Sequence, residues 1–348
     1  MRKKIFFTLN PSPPYFTYPF HMRETSRSLL WGTIPSKAQS VEIMQGFYTS
    51  LKNFLGLPDH FQSVIFSSGY EFRSFLADAW FGHKSYHPVH GNSGEDFIDM
   101  LKTRKYHPVH YPAKNGEYGS VPDGSCIFVV LNEADSGSHF GTDFIKKIKH
   151  HDPHGFIHAD ISSGIPGESI HFDELHSFSF GFNTSFGLPF GEVIWFISRK
   201  LYNDFMLKYE GRFPANKLCS DAGHCTFYNN PDYFFLDVGR KVIDDMNQRG
   251  MKNIVNETIY KSAILKEAVS KNASFAYVAK AEKLRSHTTI VLDYIGKSVK
   301  VSEDLLISGF VVDTLKAGMN EQRIRITNFP VHSREQFEAL SDLLEKIR

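Results

Sequence analysis

Hydrophobic positions change their spacing in a regular order along the chain, and this pattern predicts alternating helices and strands. Residues 40–55 repeat apolar side chains at helical spacing with Gly56 as a stop signal, and residues 72–81 form a second helical stretch. Short apolar runs follow at residues 62–66, 126–131, 156–159, 177–182 and 192–198. Apolar strands that alternate with helices are typical of parallel βαβ units, so the pattern predicts an open α/β sheet.

The pattern changes on either side of this region. The first forty residues are rich in Pro and aromatic side chains, which predicts an irregular arm. After about residue 209, predicted helices at 233–247 and 333–347 mix with strand-like segments, and the second helix opens with a capping-box pair, Ser333 and Gln336. We therefore predict three parts: an N-terminal arm over 1–15, a large α/β domain over 16–215 and a small C-terminal α+β domain over 216–348.

Composition and charge limit the function classes. Of the 348 residues, 41% are hydrophobic and 14% aromatic, which is ample for a buried core and excludes a disordered chain. Lys and Arg number 39 and Asp and Glu 38, so the balance argues against binding nucleic acid through an excess of basic residues. The 3 cysteines imply no disulfide framework, and no stretch approaches the roughly 18 apolar residues of a membrane span. We expect a cytoplasmic protein with neither nucleic-acid nor membrane partners.

The 17 histidines suggest a metal-site hypothesis. The motif Tyr-His-Pro-Val-His occurs twice, at 86–90 and 106–110, and further histidines cluster between residues 150 and 158. Zinc needs about four converging ligands, whereas residues three apart in an extended chain face opposite sides. We therefore predict histidines at strand ends on the rim of the sheet and no metal. A histidine–metal hydrolase remains an alternative only if the pairs converge.

A polar strand end is the strongest candidate site. Asp160 ends a predicted strand, and a Gly- and Pro-rich turn over 183–191 follows one strand later. Open α/β sheets bind ligands in the crevice at the carboxyl ends of their strands. The chain has neither the glycine-rich nucleotide-binding motifs nor a G-x-S-x-G nucleophile elbow. We therefore expect a small-molecule crevice beside Asp160.

At these residues the chain resembles the class V, fold type I pyridoxal-phosphate aminotransferases, and most closely the phosphoserine aminotransferases. The resemblance covers nearly the whole chain and is carried by Asn10-Pro11, Asn132-Glu133, Asp160, the segment 227–231 and the segment 323–328. It implies an aminotransferase-type three-layer domain with a mainly parallel sheet, a homodimer, and pyridoxal phosphate as cofactor. It assigns Asp160 to the pyridine nitrogen, Asn229 and Asn230 to a phosphate loop of the partner subunit, and Arg323 to the substrate carboxylate, with Arg325 on the same strand face as a competing candidate.

The resemblance also reveals a change at the position central to the family's chemistry. Counting from Asp160 (184 − 160 = 24) puts Thr184 where the family has the lysine that holds the cofactor covalently. The phosphate turn includes Glu71, whose carboxylate would repel a phosphate, and Ala134 replaces a cofactor-binding threonine. The remaining cofactor contacts fall on Asn183 beside Thr184, on Gly69 and Tyr70 in the phosphate turn, and on Ser93 and His90 at the position of the stacking aromatic ring.

Two functions stay open at this point. The first is a phosphoserine-aminotransferase-like transaminase that acts on an amino or keto acid with a degenerate cofactor site, the cofactor being held noncovalently. The second is a non-catalytic ligand-binding or regulatory homologue that keeps the fold and the dimer and has lost the chemistry. Threonine has no amine, so lysine-dependent catalysis is not expected in either.

Overall fold

The computed structural model describes residues 4–9, 12–28, 36–81, 85–112, 126–152, 155–199, 201–203, 225–229, 231–295, 299–317 and 321–347. Its strands are β1 (Ile5–Phe7), β2 (Phe61–Phe66), β3 (Ser85–Val89), β4 (Val109–Pro112), β5 (Cys126–Val130), β6 (Asn132–Glu133), β7 (Ser138–His139), β8 (Phe156–Asp160), β9 (Ser177–Gly181), β10 (Val193–Ser198), β11 (Cys225–Phe227), β12 (Phe275–Tyr277), β13 (Thr289–Tyr294), β14 (Phe310–Ala317) and β15 (Glu321–Thr327). Its α-helices are α1 (Tyr18–Ser26), α2 (Lys37–Leu55), α3 (Gly69–Leu76), α4 (Asn92–Thr103), α5 (Thr142–His151), α6 (Tyr233–Arg249), α7 (Met251–Lys271), α8 (Val299–Ile307) and α9 (Arg334–Leu344).

Eight strands form a large sheet in the order β11-β2-β10-β9-β8-β5-β3-β4. Neighbouring strands are parallel except where β10 pairs with β2 and with β9. β10 runs antiparallel because the chain between Gly181 and Val193 turns straight back instead of crossing a face of the sheet through a helix. The predicted α/β class is confirmed, with one reversed strand that the apolar pattern did not indicate.

Helices cover both faces of the large sheet and produce three layers. Side chains alternate along β2 between the two faces of the sheet. Ile65 belongs to the same hydrophobic core as Phe47 of α2 and Phe235 of α6. Val64 belongs to a second core, on the other face, with Phe72 of α3 and Phe97 of α4. Each large apolar side chain buried in this way stabilises the fold by about 1.5–3 kcal/mol. The sheet is therefore held from both sides, and its strand ends are the fixed frame for any site at its edge.

Local signals fix the ends of α2. Ser36 Oγ accepts a hydrogen bond from the Gln39 amide at 3.4 Å, and Gln39 Oε1 accepts one from the Ser36 amide at 2.9 Å. This reciprocal pair satisfies two amides that the first helical turn leaves free. Gly56 ends the helix with a φ of 63°, a left-handed conformation that favours glycine.

Five strands form a smaller sheet in the order β1-β14-β15-β13-β12. β1 is parallel to β14, and the other pairs are antiparallel. Leu265 of α7, Leu305 of α8 and Leu340 of α9 pack on this sheet in a separate hydrophobic core. Antiparallel strands with helices agree with the α+β character predicted for the C-terminal part.

Two short strands and two helices make contacts that the sequence pattern did not indicate. Within the first forty residues, described above as irregular, β1 joins the small sheet and α1 packs on α6. β11 and α6 follow residue 216, where the small domain was predicted to begin, yet β11 pairs with β2 in the large sheet and α6 packs on α2. β1 and β11 are each three residues long and pair with segments that are distant in sequence, so no local periodicity indicates them. Among the described residues, no helix is both long and apolar enough to span a membrane.

Candidate functional site

A crevice of about 370 Å³ lies at the carboxyl ends of β5, β8 and β9. This is the edge at which open α/β sheets bind their ligands. Six of the predicted site residues line it: Gly69, Tyr70, Ser93, Asp160, Asn183 and Thr184. A larger surface groove of about 910 Å³ lies between α2 and α6 and contains none of the predicted residues. The crevice is therefore the candidate site.

Asp160 anchors the turn that follows β8. Its Oδ1 accepts hydrogen bonds from the Ser162 amide at 3.0 Å and from Ser162 Oγ at 2.7 Å. Ser162 Oγ in turn accepts from the Gly181 amide at 3.3 Å, which connects the ends of β8 and β9. Asp160 thus shapes the crevice wall in addition to contributing a carboxylate to it.

Thr184 lies in the crevice on the turn between β9 and β10. Its Oγ1 donates to the Ser162 carbonyl at 2.8 Å, so the hydroxyl proton has a fixed acceptor. Gly187 closes this turn with a φ of 62°, and a Cβ there would lie 2.5 Å from the Tyr15 amide nitrogen. No lysine is among the described residues that line the crevice, and Lys200 lies outside the described residues. The crevice as described therefore offers no amine for a covalent link.

The N-terminus of α3 forms the cationic end of the crevice. Ser68 caps the helix, its Oγ accepting from the Glu71 amide at 3.2 Å, while Gly69 and Tyr70 begin the helix at the crevice wall. Amides in the first turn have no acceptor within their helix and carry partial positive charge. Arg73, four residues after Gly69, also lines the crevice. Arg73 is not among the residues predicted from the sequence, although the spacing of four residues places it on the same helix face as Gly69.

Glu71 does not line the crevice, contrary to the expectation that its carboxylate meets a phosphate there. Its Oε2 accepts from the Ser67 amide at 3.0 Å and from Ser67 Oγ at 2.8 Å. Its Oε1 accepts from the side-chain amide of Asn229, which is likewise absent from the crevice lining. Asn230, the other residue predicted for the phosphate loop, lies outside the described residues. The Glu71 carboxylate is thus held by Ser67 and Asn229 at the start of α3, outside the crevice lining.

His90, predicted as a substitute stacking ring, is not among the described residues that line the crevice. Its Nε2 donates to the Val130 carbonyl at 2.7 Å, and its Nδ1 accepts from Ser138 Oγ at 2.6 Å. The ring packs against Phe140, with centroids 3.7 Å apart and the two ring planes inclined by 31°. Burial lowers the pKa of His90 to about 4, so the ring is neutral near pH 7. His90 is a satisfied structural residue beside a different cleft.

Ser93 does line the crevice, and its polar groups are bound to Glu133. The Ser93 amide donates to Glu133 Oε2 at 3.1 Å, and Ser93 Oγ lies 3.0 Å from Oε1. Glu133 is fully buried, and this burial raises its pKa to about 7. In the sequence, Glu133 stands out only as part of the Asn132-Glu133 pair that carries the family resemblance. Nothing in the sequence predicts that its carboxyl group is buried behind the crevice.

Comparison with solved structures identifies the fold of the chain. No family model matches the chain, and neither does any curated protein. Solved structures match over nearly its full length. A phosphoserine aminotransferase from Cytophaga hutchinsonii is 24% identical with a TM-score of 0.89, and the match covers 99% of each chain. The chain has the aminotransferase fold.

Other structures with the aminotransferase fold match less closely. A phosphoserine aminotransferase with bound pyridoxal phosphate, from Trichomonas vaginalis, is 14% identical with a TM-score of 0.74, over 97% of this chain and 99% of that one. A ureidoglycine–glyoxylate aminotransferase from Bacillus subtilis is 11% identical with a TM-score of 0.76, over 99% of this chain and 93% of that one. These matches establish the fold, and the roles of individual residues remain predictions.

The two arginines predicted for substrate binding lie on β15 of the aminotransferase fold, outside the crevice lining. Arg323 Nε donates to Asp293 Oδ1 at 2.7 Å. Arg325 donates to Asp313 and to Asp135, and its side chain is only 9% exposed. Both guanidinium groups are therefore already paired with carboxylates of this chain.

The histidine pairs do not form a metal site in the part of the chain that the structure describes. Within it, no three or more His, Cys, Asp or Glu side chains converge on a point that could hold a metal ion. His87 is buried and lies 3.0 Å from Ser85 Oγ, while His110 Nε2 lies 3.2 Å from Glu95 Oε1. The hydrolase alternative gains no support from the described residues.

Proposed function

We propose that this aminotransferase-fold protein binds a small phosphate-bearing molecule of the pyridoxal phosphate class noncovalently, and that it does not carry out lysine-dependent transamination. The observation that carries the proposal is Thr184. A hydroxyl that donates to the Ser162 carbonyl stands in the crevice at the position where the resemblance calls for a lysine. The proposal takes the second of the two functions left open by the sequence and gives its ligand a chemical class.

One end of the crevice fits the anionic group of such a ligand. The amides of Gly69 and Tyr70 begin α3 there, and a helix N-terminus is suited to phosphate. Arg73 adds a guanidinium on the same side, where a phosphate can be held by charge-assisted hydrogen bonds. The carboxylate of Glu71 is held by Ser67 and does not line the crevice, so it does not occupy the place of the ligand's anionic group.

The other end does not fit a covalently attached cofactor. Pyridoxal phosphate linked to a lysine acts as an electron sink for reactions at the carbon beside the amine. Residue 184 has no amine, so no catalytic step is assigned to the crevice. Asp160 is the carboxylate available for a protonated ring nitrogen, and the hydroxyl groups of Ser93 and Thr184 complete a polar wall.

Calorimetry and mass spectrometry test the proposal. Pyridoxamine phosphate and pyridoxal phosphate should both bind reversibly, and the protein should be colourless after desalting. Borohydride treatment before desalting should leave no pyridoxyl group on a lysine in the crevice. Arg73→Gln should weaken binding roughly tenfold, a change of about 1.4 kcal/mol, whereas Arg334→Gln on the exposed face of α9 should not. A pyridoxyl-lysine in the crevice, or no binding of either compound, would contradict the proposal.

A further inference from the structure

A cluster of one arginine and two aspartates joins the two sheets. Arg325 Nε and Nη2 donate to Asp313 Oδ2 at 3.0 and 2.9 Å, and Arg325 Nη1 donates to Asp135 Oδ1 at 2.6 Å. We call these three residues the Arg325 cluster. Asp135 belongs to the turn after β6 on the large-sheet side, whereas Arg325 and Asp313 lie on β15 and β14 of the small sheet.

The Arg325 cluster lies directly behind the crevice. Asp135 follows Ala134, which lines the crevice, and Asp135 Oδ2 accepts from Asn92 Nδ2 at 2.8 Å. Leu9 lines the crevice as well, and its amide donates to Asp313 Oδ2 at 2.8 Å. Both carboxylates of the cluster are therefore bound to segments that form the crevice wall.

The cluster leaves little capacity for another carboxylate. Three of the five guanidinium N–H donors are used: Asp313 accepts from Nε and Nη2 on one edge of the group, and Asp135 accepts from Nη1. Two carboxylates face one guanidinium, so the cluster carries a net charge of −1, which repels an incoming anion. The neighbouring Arg323 is likewise paired, with Asp293.

We propose that Asp135 is a specificity-determining residue: by taking Nη1, which Asp313 leaves open, it completes the pairing of Arg325 and excludes free carboxylates, and hence amino and keto acids, from the inner wall of the crevice. This inference rests on the proposed function, because it restricts the ligands of the same crevice. The crevice then takes molecules whose anionic group is held by Arg73 and the N-terminus of α3 and which have no second carboxylate for Arg325.

Glutarate, a dicarboxylate without an amine, is the probe that tests the role of Asp135. Calorimetry should detect no glutarate binding that depends on Arg325 in the native chain. Asp135→Asn keeps the side-chain shape and removes one charge, and Asp135→Ala removes the group altogether. Each should increase glutarate affinity roughly tenfold or more, and adding Arg325→Ala should abolish the increase. Asp293→Asn, which releases Arg323 instead, is the matched comparison and should give no increase.

The possible results separate this inference from the proposed function. Pyridoxamine phosphate binding is measured on the same samples, and it reports whether the crevice is folded and able to bind. Normal binding of pyridoxamine phosphate with no gain of glutarate binding in either Asp135 variant would overturn the role of Asp135 alone. The role of Asp135 would also be overturned if the native chain bound glutarate and Arg325→Ala abolished that binding. A gain of glutarate affinity in Asp293→Asn alone would overturn it as well. Failure of the native chain to bind pyridoxamine phosphate would instead count against the proposed function.

Discussion

At the scale of single residues, the sequence indicates the location of a side chain only where the partners of that side chain are close in sequence. Asp160, Asn183 and Thr184 were assigned by counting along the chain, and the fold brings all three to one crevice. His90 and Arg325 are not among the described residues that line it, and they bind partners 48 and 190 residues away, Ser138 and Asp135. Such contacts depend on the packing of whole segments, which neither composition nor local spacing determines.

Thr184 gives the residue-scale prediction. Thr184→Lys introduces an amine in the crevice opposite a site suited to phosphate, so pyridoxal phosphate should now attach. Borohydride reduction and mass spectrometry should find a pyridoxyl group at residue 184 in this variant and none there in the native chain. Thr184→Gln, which is similarly long but lacks a basic amine, is the control. An unmodified residue 184 in a folded Thr184→Lys variant would show that the crevice does not present the cofactor to this position.

At the scale of elements, helices were predicted better than strand pairing. α2 and α9 lie within a few residues of their predicted bounds because apolar periodicity and capping boxes are local signals. β1 and β11 were missed because a three-residue strand is defined by its neighbour in the sheet. The close contact between Gly91, just before α4, and Glu133 could not be predicted either. A Cβ at Gly91 would lie 1.9 Å from Glu133 Cγ, and only the folded structure brings these two residues together.

The contact between α4 and Glu133 predicts a pH dependence of stability. Burial raises the pKa of Glu133 from 4.5 to about 7, so the native state retains a proton that the unfolded chain has lost. The resulting stabilisation is complete below pH 4.5 and is lost as the pH rises towards about 7. Because each pKa unit corresponds to about 1.4 kcal/mol, the change amounts to a few kcal/mol.

Thermal unfolding of Glu133→Gln at several pH values measures this effect. The advantage of the native chain over the variant should shrink as the pH rises through this window, since glutamine does not titrate. Glu192, whose pKa burial also raises to about 7, provides an independent comparison. Glu192→Gln should remove the part of the pH dependence of the unfolding free energy that Glu192 contributes. The double variant should remove both contributions additively. A constant difference between the native chain and Glu133→Gln would show that folding does not raise the pKa of Glu133.

At the scale of the whole molecule, the two sheets are held together by buried polar contacts that the sequence did not suggest. Glu168, on the large-sheet side, accepts from Ser286 Oγ at 3.1 Å, from the Thr288 amide at 3.2 Å and from His287 Nδ1 at 3.0 Å. Burial opposes the charge of Glu168, but the pKa of this carboxyl is lowered because His139 and His287 favour its ionised form. With the Arg325 cluster, these contacts fix how the small sheet meets the crevice.

Self-association is the whole-molecule prediction. The resemblance to class V aminotransferases implies a homodimer, and exposed aromatic side chains are candidates for its interface. Phe16 and Phe20 are 61% and 60% exposed, and Tyr70, at the crevice, is 71% exposed. Aromatic residues are enriched at protein–protein interfaces. Light scattering at low micromolar concentration should therefore give the mass of two chains.

Surface variants identify the face involved. Phe16→Asp combined with Phe20→Asp puts two charges on the proposed interface and should shift the scattering mass towards one chain. Ile307→Asp is the matched control, because Ile307 is 78% exposed but lies at the end of α8 beside the small sheet. If Tyr70 is covered by the partner, the double variant should also weaken pyridoxamine phosphate binding, since the crevice beside Tyr70 loses its cover. A native chain that stays monomeric would remove the homodimer and this link between assembly and binding together.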